Sequence, residues 1–116
     1  MILAATVLVF STTAFGGSTS DDAFAKLKTL AGTWQFKMND ADVESEYSVH
    51  SMGNSVEESY NDMVTMFHVD GKSLLITHYC HCGNQPRFRA TKLNDPNRMI
   101  FDFVDIGRNS LKITKN

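Results

Sequence analysis

Cysteine and proline are scarce, with two of each in 116 residues. The cysteines, Cys80 and Cys82, stand one residue apart and cannot form the long-range staple that small secreted domains often carry, so stability has to come from packing. In an extended strand their Cα atoms would lie near the upper limit for a disulfide, which favours free thiols over a bond. There is no basic stripe: the net charge of −2 comes from intermixed acids and bases, which argues against a nucleic-acid partner. No apolar run approaches the roughly 20 residues that a membrane-spanning helix needs, so stable membrane insertion is not expected. Also missing are an internal repeat, a Gly-rich phosphate loop, a Gly-x-Ser-x-Gly elbow and a pair of separated Cys-x-x-Cys knuckles.

What is present has an ordinary globular balance. Apolar residues make up 42% and charged residues 21% of the chain, enough to build a core and too regular for a disordered or fibrous protein. The length suits one domain. Residues 1–17 read as a signal peptide, with an uncharged apolar stretch through Phe10 and Phe15 and small residues at Ala14 and Gly16 for cleavage. No Lys or Arg precedes that stretch, so the basic start of a leader is missing, as either a true start upstream or a misassigned start codon would explain. The expected location is therefore outside the cell membrane, in the periplasm or extracellular space. The domain proper spans 18–116.

Thr19 stands three residues before Asp22 in the manner of a capping box, and Phe24, Leu27 and Leu30 follow at helical spacing, with Lys26 and Lys28 toward the end. A short helix is predicted there and no second one. Beyond Gly32 the pattern becomes runs rich in β-branched and aromatic residues, broken by Gly, Asn, Asp and Pro. Strands are predicted at 33–38, 46–52, 55–60, 63–69, 73–80, 87–93 and 99–105, with a partial one at 111–114. Asp70-Gly71, taken as the central pair of a hairpin, sets Phe67 opposite Leu74, Thr65 opposite Ile76 and Met63 opposite His78. Met63, Thr65, Phe67, Leu74, Ile76, His78 and Cys80 then share one surface, assigned to the interior. Closing a barrel takes about eight strands, and seven with a fragment fall short of that.

The sharpest local cluster is His78-Tyr79-Cys80-His81-Cys82. An imidazole with two thiolates suits a soft metal, so His78, Cys80 and Cys82 are the candidate zinc ligands, although a closed site takes four. His78 on an otherwise apolar wall needs a hydrogen-bond partner or a ligand. Glu57 and Glu58 alternate across a strand, so one of them faces inward. His50 and His68 read as solvent-side residues, and Arg87 with Arg89 as a solvated strand face that could take an anion.

Leu30-Ala31-Gly32-Thr33-Trp34 resembles the Gly-x-Trp opening of lipocalins and other calycins. The stretches from Met63 to Gly71, Leu74 to Cys80 and Gly83 to Arg87 are similar to a group of uncharacterised exported bacterial lipocalin-like proteins, distantly related in form to the nitrobindin-type haem-binding barrels. The resemblance covers about Phe24 to Phe103. It implies an up-and-down antiparallel barrel, a leader and a small hydrophobic ligand, and no established reaction. The haem-binding histidine of nitrobindin-like proteins lies near the chain end, and no histidine follows His81 here. The related chains also run on through further strands, and from Gly107 this one departs from their pattern, as a truncation or frameshift would explain. The fold expected is thus all-β, a lipocalin-like barrel after a short helix. The leading function is binding of a small apolar or amphipathic molecule lined by Trp34, Met63, Phe67, Leu74, Ile76 and His78. A second reading is haem or metal binding through His78 and Cys80. A third is an enzyme using Cys80 or His78. A barrel edge left open would also allow a homodimer.

Overall fold

The structure, a computed structural model, describes residues 19–107. The expected leader and the partial strand at 111–114 lie outside the described residues. One helix, α1 (Ser20–Lys28), precedes seven strands: β1 (Gly32–Met38), β2 (Ala41–His50), β3 (Ser55–Tyr60), β4 (Met63–Asp70), β5 (Ser73–Tyr79), β6 (Pro86–Asp95) and β7 (Arg98–Ile106). They form a single antiparallel up-and-down sheet in chain order. Direction alternates strand by strand, so β1 and β7 run the same way. They are the two edges, and the sheet is not closed among the described residues. No helix there is long and apolar enough to cross a membrane.

The turns follow from residue chemistry. Asn39-Asp40 and Asn61-Asp62 both take positive φ at each position, 49° and 65° in the first and 47° and 61° in the second. That is the two-residue type I′ link, matched to strand twist, and Asn and Asp tolerate it best after Gly. It lets β2 begin at Ala41, five residues before the expected 46. β2 also ends earlier, at His50, and Met52 sits fully exposed in a short 3-10 turn, Ser51–Gly53.

The β4–β5 hairpin corrects one expectation. Asp70 pairs with Ser73, so the central pair is Gly71-Lys72 rather than Asp70-Gly71. Gly71 has φ +59° and Lys72 is not among the positive-φ residues, which fits a type II′ link with Gly first. Each residue of β4 therefore faces a partner two positions further along β5: Phe67 faces Ile76 and Thr65 faces His78. A slip of two keeps every side chain on its face, so the expected interior surface survives.

The core lies where α1 crosses the middle of the sheet. Ala23, Phe24 and Leu27 pack on Val56, Phe67 and Leu74, and Val56 and Leu74 are 0% exposed. Thr19 and Asp22 form the reciprocal capping box, which holds the Asp22 carboxyl below its usual range, the Thr19 side chain contributing most. The Ser20 hydroxyl donates to the Lys72 carbonyl at 2.8 Å, tying the helix to the β4–β5 turn. Phe67 of β4 meets Phe101 of β7 edge to face at 6.3 Å, so the sheet curls around this inner face. β1, at the edge, is exposed throughout.

Leu74→Ala is expected to lower unfolding free energy by about 3 kcal/mol, since a fully buried leucine loses both transfer energy and packing. Thr19→Ala should cost about 1 kcal/mol through the lost cap. Urea unfolding followed by circular dichroism checks both.

Candidate functional site

Cross-strand pairing sorts the inner face into rows. Val49, Val56, Phe67, Ile76, Phe88 and Phe103 are successive partners across β2 to β7 and make an apolar floor. On its helix side Val69 and Leu74 pair, and Ala90 pairs with Phe101. On its other side runs Tyr47, Glu58, Thr65 and His78, again successive partners from β2 to β5. Beyond that come Trp34, Ser45, Tyr60 and Met63. All six residues expected to line a cavity, Trp34, Met63, Phe67, Leu74, Ile76 and His78, stand on this one face. They divide among its rows, with Leu74 and Phe67 buried under the helix and Trp34 about half exposed at the edge.

The polar row is hydrogen-bonded within itself. The His78 Nδ1 and the Thr65 hydroxyl are 2.8 Å apart. Thr65 thus takes the place beside the imidazole that Met63 was expected to hold, because of the two-residue slip. Buried Ser45, 3% exposed, donates to Glu58 Oε1 at 3.5 Å. The Tyr47 phenol also bonds Glu58. Burial, then the Glu58 charge and this bond, push its pKa up to about 12, with Ser45 pulling the other way. The rim is aromatic: Phe36 and Tyr60 rings lie 5.7 Å apart, and the Tyr60 hydroxyl donates to the Met38 sulfur at 3.3 Å. The Trp34 indole N–H is fixed by the Leu30 carbonyl at 2.6 Å.

The row puts an acid, a hydroxyl and an imidazole side by side, but in an order unsuited to nucleophilic catalysis. A triad needs the base between acid and hydroxyl, whereas Thr65 lies between Glu58 and His78. β4 is flanked by strands on both sides, so its backbone N–H groups serve the ladder rather than an oxyanion.

β5 and β6 are linked by residues 80–85, in which Cys80 pairs with Asn84 and His81, Cys82 and Gly83 make the loop. The Gly83 N–H donates to the Cys80 carbonyl at 2.9 Å, the Cys80 N–H to the Asn84 carbonyl at 3.2 Å, and Gly83 takes φ +73°. This is a three-residue hairpin loop, a turn followed by a left-handed glycine. Both thiols are free. The side-chain hydrogen bond with Cys80, then its charge, raise the Cys82 pKa, which lowers the thiolate fraction a nucleophile would need. Cys82 is exposed in this loop with its thiol against Cys80, while His78 lies on the inner face bonded to Thr65. Among the described residues no group of three or more His, Cys, Asp or Glu side chains is placed to hold a metal ion.

The outer face mixes Val64, Met66, Leu75 and Tyr79 with charged residues that are largely paired. Glu44 accepts from Gln35 at 2.6 Å, Lys37 meets Asp42 at 2.6 Å, and exposed His50 lies 3.5 Å from Glu57. Arg87 grips Asp105 with two hydrogen bonds, the second at 2.7 Å, so that arginine is already neutralised. Sequence reasoning missed Ser45, Tyr47, Glu58, Phe88, Phe101 and Phe103 as inner-face residues. The alternation of each strand carried that information once the face of Val56 or Phe67 was fixed.

No protein-family model matches the chain, and neither a curated protein nor a solved structure matches it.

The raised Tyr47 pKa has a sign that unfolding can read. Below pH 10 the phenol is protonated in both states and its full contribution is present. Between 10.0 and about 12 the unfolded chain ionises first, so stability falls as pH rises. Tyr47→Phe should show a shallower fall over that interval in urea unfolding, and an identical fall in both proteins would overturn the assignment.

Proposed function

We propose that the chain is an exported lipocalin-like domain whose inner face binds one small apolar or amphipathic molecule. The observation that carries the reading is the composition of that face: an apolar floor of Ile76, Phe88 and Phe103 beyond the helix, beside a single polar row. Phe103 remains 60% exposed and Trp34 49%, on the face that a soluble domain normally buries. Small-molecule sites pair such apolar walls with a few placed polar groups. An up-and-down order of strands after a short helix, and the Gly32-Thr33-Trp34 opening, also support a lipocalin-like relationship.

In this reading the apolar part of the ligand lies over Ile76 and Phe88, and its polar end meets the row from Tyr47 to His78. Trp34, the single tryptophan, stands at the rim and reports on occupancy. Titration with the neutral fluorophore N-phenyl-1-naphthylamine should give saturable enhancement with energy transfer from Trp34. Ile76→Ala should weaken it about fivefold, roughly 1 kcal/mol of lost apolar contact. A folded protein that gives no saturable enhancement would sink the reading. Haemin added in parallel tests the other occupant: a Soret shift that His78→Ala abolishes would replace an amphiphile by haem.

A further inference from the structure

The charges of the inner face specify the polar group that the small-molecule reading leaves open. Alternation from buried Val56 places Glu58 inward and Glu57 outward, opposite Met66. The strand cations all lie elsewhere. Lys37 is on the outer face with Asp42, Arg87 and Arg89 are on the outer face opposite Asp105 and Asp102, Lys92 is beside outward Ile100, and Lys72 and Arg98 are at turns. On the helix, Lys28 sits over its own Phe24 ring, 5.3 Å from the centroid. Glu58 is thus the one formally charged side chain that the central strands β2 to β5 turn inward, the acids Asp42, Glu44, Glu46, Glu57 and Asp70 alternating outward. Its partners are the neutral hydroxyls of Tyr47 and Ser45. Thr65, the next residue in its row, is engaged by His78.

A half-buried carboxylate bonded only to neutral donors keeps free lone pairs and an uncompensated charge, and both favour a cation. The adjoining row supplies aromatic faces, Trp34 and Tyr60, with Phe36 against Tyr60, and such rings attract ammonium groups. We propose that the ligand is a cationic amphiphile: an amine or quaternary ammonium head held at Glu58 beside the aromatic row, with its apolar body on the floor of Ile76 and Phe88. This rests on the small-molecule reading above and adds the sign of the charge.

The test displaces N-phenyl-1-naphthylamine from the full chain at neutral pH with decylamine, decyltrimethylammonium, decanol and decanoate, each below its micelle-forming concentration. The two cations should compete at least about tenfold better than decanoate, and the advantage should shrink as ionic strength rises. Glu58→Gln should bring the ratio of decylamine to decanoate close to one, while Glu57→Gln, on the outer face, should keep the wild-type ratio. Equal competition by amine and carboxylate in the wild type, or an unchanged ratio in Glu58→Gln, overturns the charge assignment and leaves small-molecule binding standing. Absence of fluorophore binding overturns both. If Glu58→Gln does not fold, the wild-type ratio and its salt dependence decide.

Discussion

Phe24 and Leu27 resting on Val56, Phe67 and Leu74 is the contact on which the rest depends. A single sheet has two faces and can hide neither by itself; here a helix of about two and a half turns hides the middle of one of them. Each fully buried aliphatic or aromatic side chain in that seam contributes about 1.5–3 kcal/mol. The helix is nine residues long, too short to persist alone, so its capping box and the bond from Ser20 to the Lys72 carbonyl matter for placing it. That carbonyl is where it is because Gly71 takes φ +59° and moves the hairpin link one residue along. A turn residue thereby sets where the helix docks, and the helix sets which part of the sheet is covered.

What the seam leaves uncovered is the remainder of the inner face and both edges. β1 is exposed along its length, with Trp34, Phe36 and Met38 turned inward and Gln35 and Lys37 outward. The outward residues are bonded to β2 partners and keep the solvent side polar, a common protection for an edge strand. Among the described residues no element covers the inward ones, and Trp34, Phe36 and Met38 are exposed.

The strands were legible because the period-two pattern and the turn residues agreed at nearly every boundary. Asn39-Asp40 was read as a link, but its being as tight as two residues, with β2 starting at once, was not, since Asn and Asp also occur in longer loops. The Asp70-Gly71 register missed by two because a glycine serves either position of a hairpin link, and only φ at its neighbours tells which. The six residues expected to line a cavity share one face because five of them lie on the β4–β5 hairpin, where alternation is easy to follow. Tyr47, Glu58 and Thr65 become neighbours only across strands. Nothing local marks Glu58 over Glu57; the choice follows from Val56, two residues before, being on the covered side.

The polar row runs against the logic of the rows around it. An apolar floor lies on one side of Tyr47, Glu58, Thr65 and His78, and apolar side chains at those positions would extend it without desolvating a carboxylate or an imidazole. Each hydroxyl in the row is spent on satisfying its neighbours, so the row holds itself together at a cost to stability rather than a gain. Positions that break a local rule without stabilising the fold are where function concentrates. A carboxylate set among neutral donors, beside an apolar floor and aromatic rings, is the feature on which the proposal of a cationic amphiphile rests.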